Sequence, residues 1–81
     1  MNLVELTEFI VKNLVTDPDG VSVRQIDSEE EYTLIEVIVS SEDMGCVIGK
    51  SGKIANAIRT IIQASSYANG AKKVKINIDS M

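Results

Sequence analysis

The run Val47-Ile48-Gly49-Lys50-Ser51-Gly52-Lys53-Ile54 places two glycines three residues apart, with one cation between them and another directly after. Glycine adopts positive φ at little cost and has no side chain to hold a ligand at a distance, so such a turn exposes backbone N–H groups at close range. An amphipathic segment follows, and the unpaired N–H groups that open a helix lie at the positive end of its dipole. With Lys50 they offer a shared anion site, and phosphate is the ligand that suits it. Lys53 in the first helical turn is locally unfavourable against that dipole, which argues for an anionic partner over an ordinary interhelix turn.

The 81 residues carry a net charge of −4, which by itself argues against a polyanionic partner. The distribution reverses the argument. Residues 1–44 hold eleven acids against two bases, a balance of −9, whereas residues 45–81 hold six bases against one acid, a balance of +5. The basic half contains the glycine turn, with Lys50, Lys53, Arg59, Lys72, Lys73 and Lys75.

Length and composition bound the rest. The chain has room for one domain, 1–81, with a small core, and 44% hydrophobic with 25% charged residues is the balance of a folded domain. The longest unbroken apolar run, Val37-Ile38-Val39, is too short for a membrane span, and the N-terminus lacks the features of a signal peptide. With Cys46 alone no internal disulfide forms, and a cytoplasmic location is expected. Catalysis has little to work with: there is no histidine, hence no imidazole base and no Ser-His or Cys-His pair. Neither a zinc site nor any other cofactor is expected. Gly45 to Ser51 differs from a nucleotide-binding P-loop, which needs four residues between its glycines where this chain has three. Cys46 is expected to be buried beside Met44 and Val47.

Asn2 with Glu5 three residues on suggests a capping box, and Leu3, Leu6, Ile10 and Leu14 predict a helix over residues 2–15. Val4, Phe9, Val11 and Val15 widen its apolar face, a hint of a protein partner. Asp17-Pro18-Asp19-Gly20 is turn chemistry that stops the helix. Val21–Arg24 and Tyr32–Val39 alternate as strands, with the acidic residues Asp27 to Glu31 as a solvated hairpin connection. Ser40 or Ser41, with Glu42 and Asp43 in the first turn, predicts a short helix ending at Gly49. Ile54, Ala57, Ile58, Ile61 and Ile62 mark a longer helix reaching Asn69-Gly70; Ile61 and Ile62, being adjacent, do not both face one narrow core. Val74, Ile76 and Ile78 alternate as a final strand, and the long two-helix connection makes it parallel to the strand ending near Ser40. The expected fold is α+β, with order α-β-β-α-α-β and a three-stranded mixed sheet carrying helices on one face.

The hydrophobic-Ile-Gly-x-x-Gly-x-Ile run between two helices, in this order of elements, resembles the K-homology (KH) domain of type II topology over nearly the whole chain. It is most similar to the small bacterial proteins made of a single KH domain. The resemblance implies single-stranded RNA binding, action in post-transcriptional regulation or as an RNA chaperone, a homodimer, and a heterodimer with a larger, Jag-like KH protein. It also implies that Gly49, Lys50, Ser51 and Gly52 clamp the backbone of about four nucleotides. Val47, Ile48, Ile54 and Ile58 then line the groove or the core beneath it, Lys53 and Arg59 lie on the basic flank, and Lys72 and Lys73 contact phosphates from the opposite wall. The aromatics Phe9, Tyr32 and Tyr67 all lie away from the turn, which argues against base stacking there. The competing expectation is a protein-interaction subunit that pairs with a larger KH protein and touches RNA incidentally. Neither membrane binding nor a small-molecule substrate is expected.

Overall fold

A computed structural model of the chain describes residues 2–27, 32–68 and 73–80. Helix α1 spans Leu3–Lys12 and starts as a reciprocal cap: the Glu5 N–H donates to Asn2 Oδ1 at 2.8 Å while Asn2 Nδ2 donates to Glu5 Oε1 at 3.1 Å. The helix ends three residues before the expected Val15. Asn13 Nδ2 donates to the Phe9 carbonyl at 2.6 Å, so a side chain competes for the helical acceptor and the chain continues to Val15 in looser turns. Pro18–Gly20 forms a single 3₁₀ turn that redirects the chain.

Strands β1 (Ser22–Asp27) and β2 (Tyr32–Val39) pair antiparallel, with Ser22 opposite Ile38 and Asp27 opposite Thr33; β1 is longer than the expected Val21–Arg24 because the ladder extends through Asp27. Residues 28–31 of the expected acidic connection lie outside the described residues. Helix α2 (Met44–Ile48) and helix α3 (Lys53–Ala68) then lead back to strand β3 (Lys73–Ser80), parallel to β2 with Tyr32 beside Lys73. The sheet order β1-β2-β3 and the parallel pair are those expected from the long helical connection. The expected stop at Asn69-Gly70 lies outside the described residues.

Period-two alternation decides which face of the sheet is covered. Thr33, Ile35, Val37 and Val39 of β2 are buried, and Val74 and Ile76 of β3 join them beneath the helices. Val11 of α1, Val47 of α2, and Ile58 and Ile62 of α3 fill the space between the layers. α3 packs on both β3 and α1, while α1 covers β1. Ile62 is fully buried and Ile61 is 49% exposed, which settles which of the adjacent pair serves the core.

Asp43 departs from expectation. Expected in the first turn of the short helix, it is instead buried in the 3₁₀ turn Ser41–Asp43 that enters α2. Its Oδ1 accepts from the Thr16 hydroxyl at 2.7 Å and the Thr16 N–H at 3.1 Å, and its Oδ2 accepts from the Ser40 hydroxyl at 3.0 Å and the Asp17 N–H at 3.2 Å. The bond from the Thr16 hydroxyl, followed by the Thr16 amide, outweighs the opposing effect of burial and holds the carboxyl below its ordinary value of 3.8.

Two outcomes follow. Ile62→Ala should cost about 2–5 kcal/mol in urea denaturation, against within about 0.5 kcal/mol for Ile61→Ala in the same assay. Because the folded-state pKa of Asp43 is depressed, its contribution is complete above the unfolded value of 3.8 and is lost as pH falls through the folded value. Asp43→Asn should therefore lower stability at neutral pH and flatten its decline below about pH 4, measured by thermal melts across an acid series.

Candidate nucleic-acid interface

The turn between α2 and α3 is built from conformations that most side chains avoid. Gly49 has φ 74° and ψ 175°, Ser51 has φ 57° and ψ 26°, and Gly52 has φ 75°. Gly49 is required twice over: besides its φ, a Cβ there would lie 2.6 Å from Ile54 Cγ1, well inside contact distance. A Cβ on Gly52 would meet open space, so that position demands glycine for its backbone alone. The loop is closed by the Gly49 N–H to the Gly45 carbonyl at 3.0 Å and the Gly52 N–H to the Gly49 carbonyl at 3.2 Å. The amides of Lys50 and Ser51 have no backbone partner outside the turn among the described residues.

The side chains around this loop sort clearly. Lys50, Ser51 and Lys53 are exposed, and among the described residues neither lysine has an ion-pair partner. Val47 and Ile58 belong to the core, whereas Ile48 and Ile54 are half-buried where α2 and α3 meet the loop. Of the four expected to line groove or core, Val47 and Ile58 are therefore core residues, and Ile54 packs against that core from the first turn of α3. Arg59 is exposed on α3, its Nη1 donating to Asn56 Oδ1 at 3.0 Å. Lys73 is exposed at the start of β3, and Lys72 lies outside the described residues. Cys46 is exposed, contrary to the expected burial. In a helix as short as α2, Val47 turns to the core and its neighbour Cys46 faces outward.

A second feature lies farther along α3. Arg59, Thr60, Gln63, Ala64 and Tyr67, with Val74 of β3, line an open groove of about 460 Å³. The pattern that places them together was present in the sequence: Lys53, Thr60 and Tyr67 recur every seven residues, and Asn56 and Gln63 fall between them at the same spacing. No motif marked it. Tyr67, 61% exposed, supplies an aromatic face some 21 Å along the helix from Lys53. Lys75, on the outer face of the sheet, has its ammonium 4.3 Å from the centre of the Tyr32 ring.

The loop geometry gives ordered outcomes in urea denaturation. Gly49→Ala should cost about 2 kcal/mol or more through strain plus contact with Ile54, and Gly52→Ala about 1–2 kcal/mol through strain alone. Ser51→Gly should stabilise by about 0.5 kcal/mol, relief of the left-handed strain being partly offset by the freedom glycine gains in the unfolded chain.

This arrangement has clear relatives. The pattern of the family "KhpA/KhpB, KH domain" matches residues 4–78. The protein named "RNA-binding protein KhpA" from Clostridium perfringens is 47% identical over 74 residues, covering 91% of this chain and 96% of that one. Its namesake from Borreliella burgdorferi is 43% identical over 77 residues, covering 95% and 92%. Among solved structures, a crystal structure of Era in complex with MgGDPNP and nucleotides 1506-1542 of 16S ribosomal RNA superposes with a TM-score of 0.65. At 17% identity it shares the fold alone; the match takes in 96% of this chain and 29% of the Era chain. The family is not an enzymatic one. By its match over almost its whole length, the chain belongs to the KhpA/KhpB family of KH domains.

Proposed function

We propose that this protein binds single-stranded RNA through the Gly49-Lys50-Ser51-Gly52 loop. The observation that carries the reading is the loop itself: positive φ at three of its four residues, backbone amides of Lys50 and Ser51 with no backbone partner outside the turn, and an exposed lysine with no ion-pair partner among the described residues. These groups suit a phosphate, and the absence of a Cβ at both glycines lets a sugar-phosphate backbone approach closely. Relatives named as RNA-binding proteins at 43–47% identity support it. Ile48 and Ile54 offer apolar surface to unpaired bases beside the clamp, and the exposed Lys53, Arg59 and Lys73 add positive charge along the path. The acidic first half keeps affinity modest and confines the strand to the basic side. Such a module serves post-transcriptional regulation or RNA chaperoning in the cytoplasm.

A second, compatible reading is pairing with a copy of itself or with a larger KH-domain protein. Ile61 on α3 and Phe9 on α1, 49% and 61% exposed, are large apolar side chains that a monomer leaves in water. Two clamps on one strand would raise avidity without any new RNA contact.

Fluorescence anisotropy of a labelled single-stranded RNA tests the first reading. The Lys50→Asp, Ser51→Asp double variant should lose at least about tenfold in affinity, and wild-type log K should fall by about 0.7 per log unit of salt for each phosphate neutralised. Equal binding by a folded variant would overturn it. For the second, sedimentation equilibrium of wild type and Ile61→Asp should show a dimer that the substitution weakens; a monomer at high micromolar concentration, with no partner copurifying, would dismiss the pairing.

A further inference from the structure

Among the described residues, Gln63 Nε2 is the one buried side-chain polar atom with no hydrogen-bond partner. The orientation of the amide is fixed by its other end: Gln63 Oε1 accepts from the Val74 backbone N–H at 2.9 Å, and only the oxygen can take that proton. A donor held in place and unsatisfied therefore borders the groove between α3 and β3, beside the exposed ring of Tyr67. A buried donor without an acceptor is costly, so this amide favours any ligand that brings it one.

The groove fits a nucleobase in size and in lining. Its volume of about 460 Å³ is ample for one base with its ribose, Tyr67 offers a flat face for stacking, and Arg59 lies at the end nearer the clamp. Gln63 Nε2 is closed off from solvent, while the rim residues Arg59, Thr60 and Tyr67 are exposed and change rotamer rapidly. Access of an acceptor to Nε2 requires these exposed side chains to part, which their rotamer freedom permits. Arg59 and Tyr67 are on the same helix as Lys53, so a strand held at the loop and running along α3 arrives here after a few nucleotides.

We propose that this groove seats one unpaired base stacked on Tyr67, and that Gln63 reads it by donating to the exocyclic oxygen at uracil O4 or guanine O6, where cytosine and adenine carry amino groups, giving the chain a preference for uracil or guanine at that position. At the edge where uracil carries O4, cytosine carries an amino group, which would set donor against donor. The inference rests on the reading of the chain as an RNA-binding module and adds base selection to it.

The test compares seven-nucleotide oligouridylate and oligocytidylate, which share a backbone and a ring size. Wild-type protein should bind the uridylate about tenfold more tightly, the scale expected when a buried donor is left facing another donor. Gln63→Glu keeps the shape and the bond from Val74 but replaces the donor with an acceptor. Its added charge weakens both ligands, whereas the uridylate-to-cytidylate ratio should fall below one. Tyr67→Ala should weaken the uridylate by about tenfold without unfolding, since the ring is exposed. Independently of any variant, the Gln63 side-chain NH₂ resonances of the wild-type protein should shift on adding uridylate and not cytidylate. Equal affinities for the two oligomers in wild type, an unchanged ratio in folded Gln63→Glu, or silent Gln63 resonances would each overturn the base-reading role. The Lys50→Asp, Ser51→Asp variant separates the two ideas: if it loses both oligomers while the wild-type ratio is one, the clamp stands and the base reader falls. If it binds both as wild type does, the clamp reading falls.

Discussion

The Asp43 carboxylate is the point at which three parts of the chain are tied together. It accepts four hydrogen bonds, two from Thr16 and one each from Asp17 and Ser40, and so pins the segment after α1 to the segment leaving β2. A buried charge is tolerated only when its lone pairs are satisfied, and here both oxygens are. The consequence is positional. Met44 follows directly, so the start of α2 is set relative to the sheet, and α2 has only five residues before it delivers the chain to the loop. The placement of the loop inherits the precision of this carboxylate.

From there the loop geometry is fixed by exclusion. Ile54 occupies the space that a side chain at Gly49 would need, so the first glycine presses against the first turn of α3 and the loop cannot relax inward. Ser51 is held at positive φ by its neighbours at a cost that a free loop would not sustain, a form of backbone strain common at ligand sites. Lys50 and Ser51 thus project from a rigid turn between two helices that are both anchored in the core through Val47 and Ile58. On the proposed RNA-binding reading, a loop prepared in advance gives up less entropy on binding, which matters in a protein whose net charge opposes an anionic ligand.

α3 performs two tasks on different faces. Ala55, Ile58, Ile62 and Ser66 form its buried face and hold the sheet. Its polar face carries the groove, and the link between the two is Gln63, whose carbonyl oxygen satisfies the Val74 N–H at the start of β3. Groove and sheet edge therefore share a side chain, so the two cannot shift independently.

Much of the fold was legible in the chain because it depends on periodicity and turn chemistry. Alternation in Tyr32–Val39, the recurrence of isoleucines after Gly52 and the Pro18 turn reported β2, α3 and the first chain reversal, and the long connection between β2 and β3 implied their parallel pairing. The Gly-x-x-Gly run likewise announced the loop, since glycine takes the positive φ of Gly49 and Gly52 at little cost; the positive φ of Ser51 carried no such signal. The rest depended on contacts between residues far apart in sequence. Asp43 reads locally as a helix-capping acid; only the arrival of Thr16, 27 residues away, makes it a buried anchor. Cys46 has the polarity of a core residue and is exposed because a five-residue helix has one face to bury and Val47 takes it. Gln63 and Tyr67 look like an ordinary polar stripe until β3 comes to lie beside them. The sequence by itself determined the elements, their order and the Gly-x-x-Gly loop, because these follow from local backbone preferences. The tertiary structure alone decided which polar groups are buried, which are satisfied and where the groove forms, because those outcomes require two distant segments to meet.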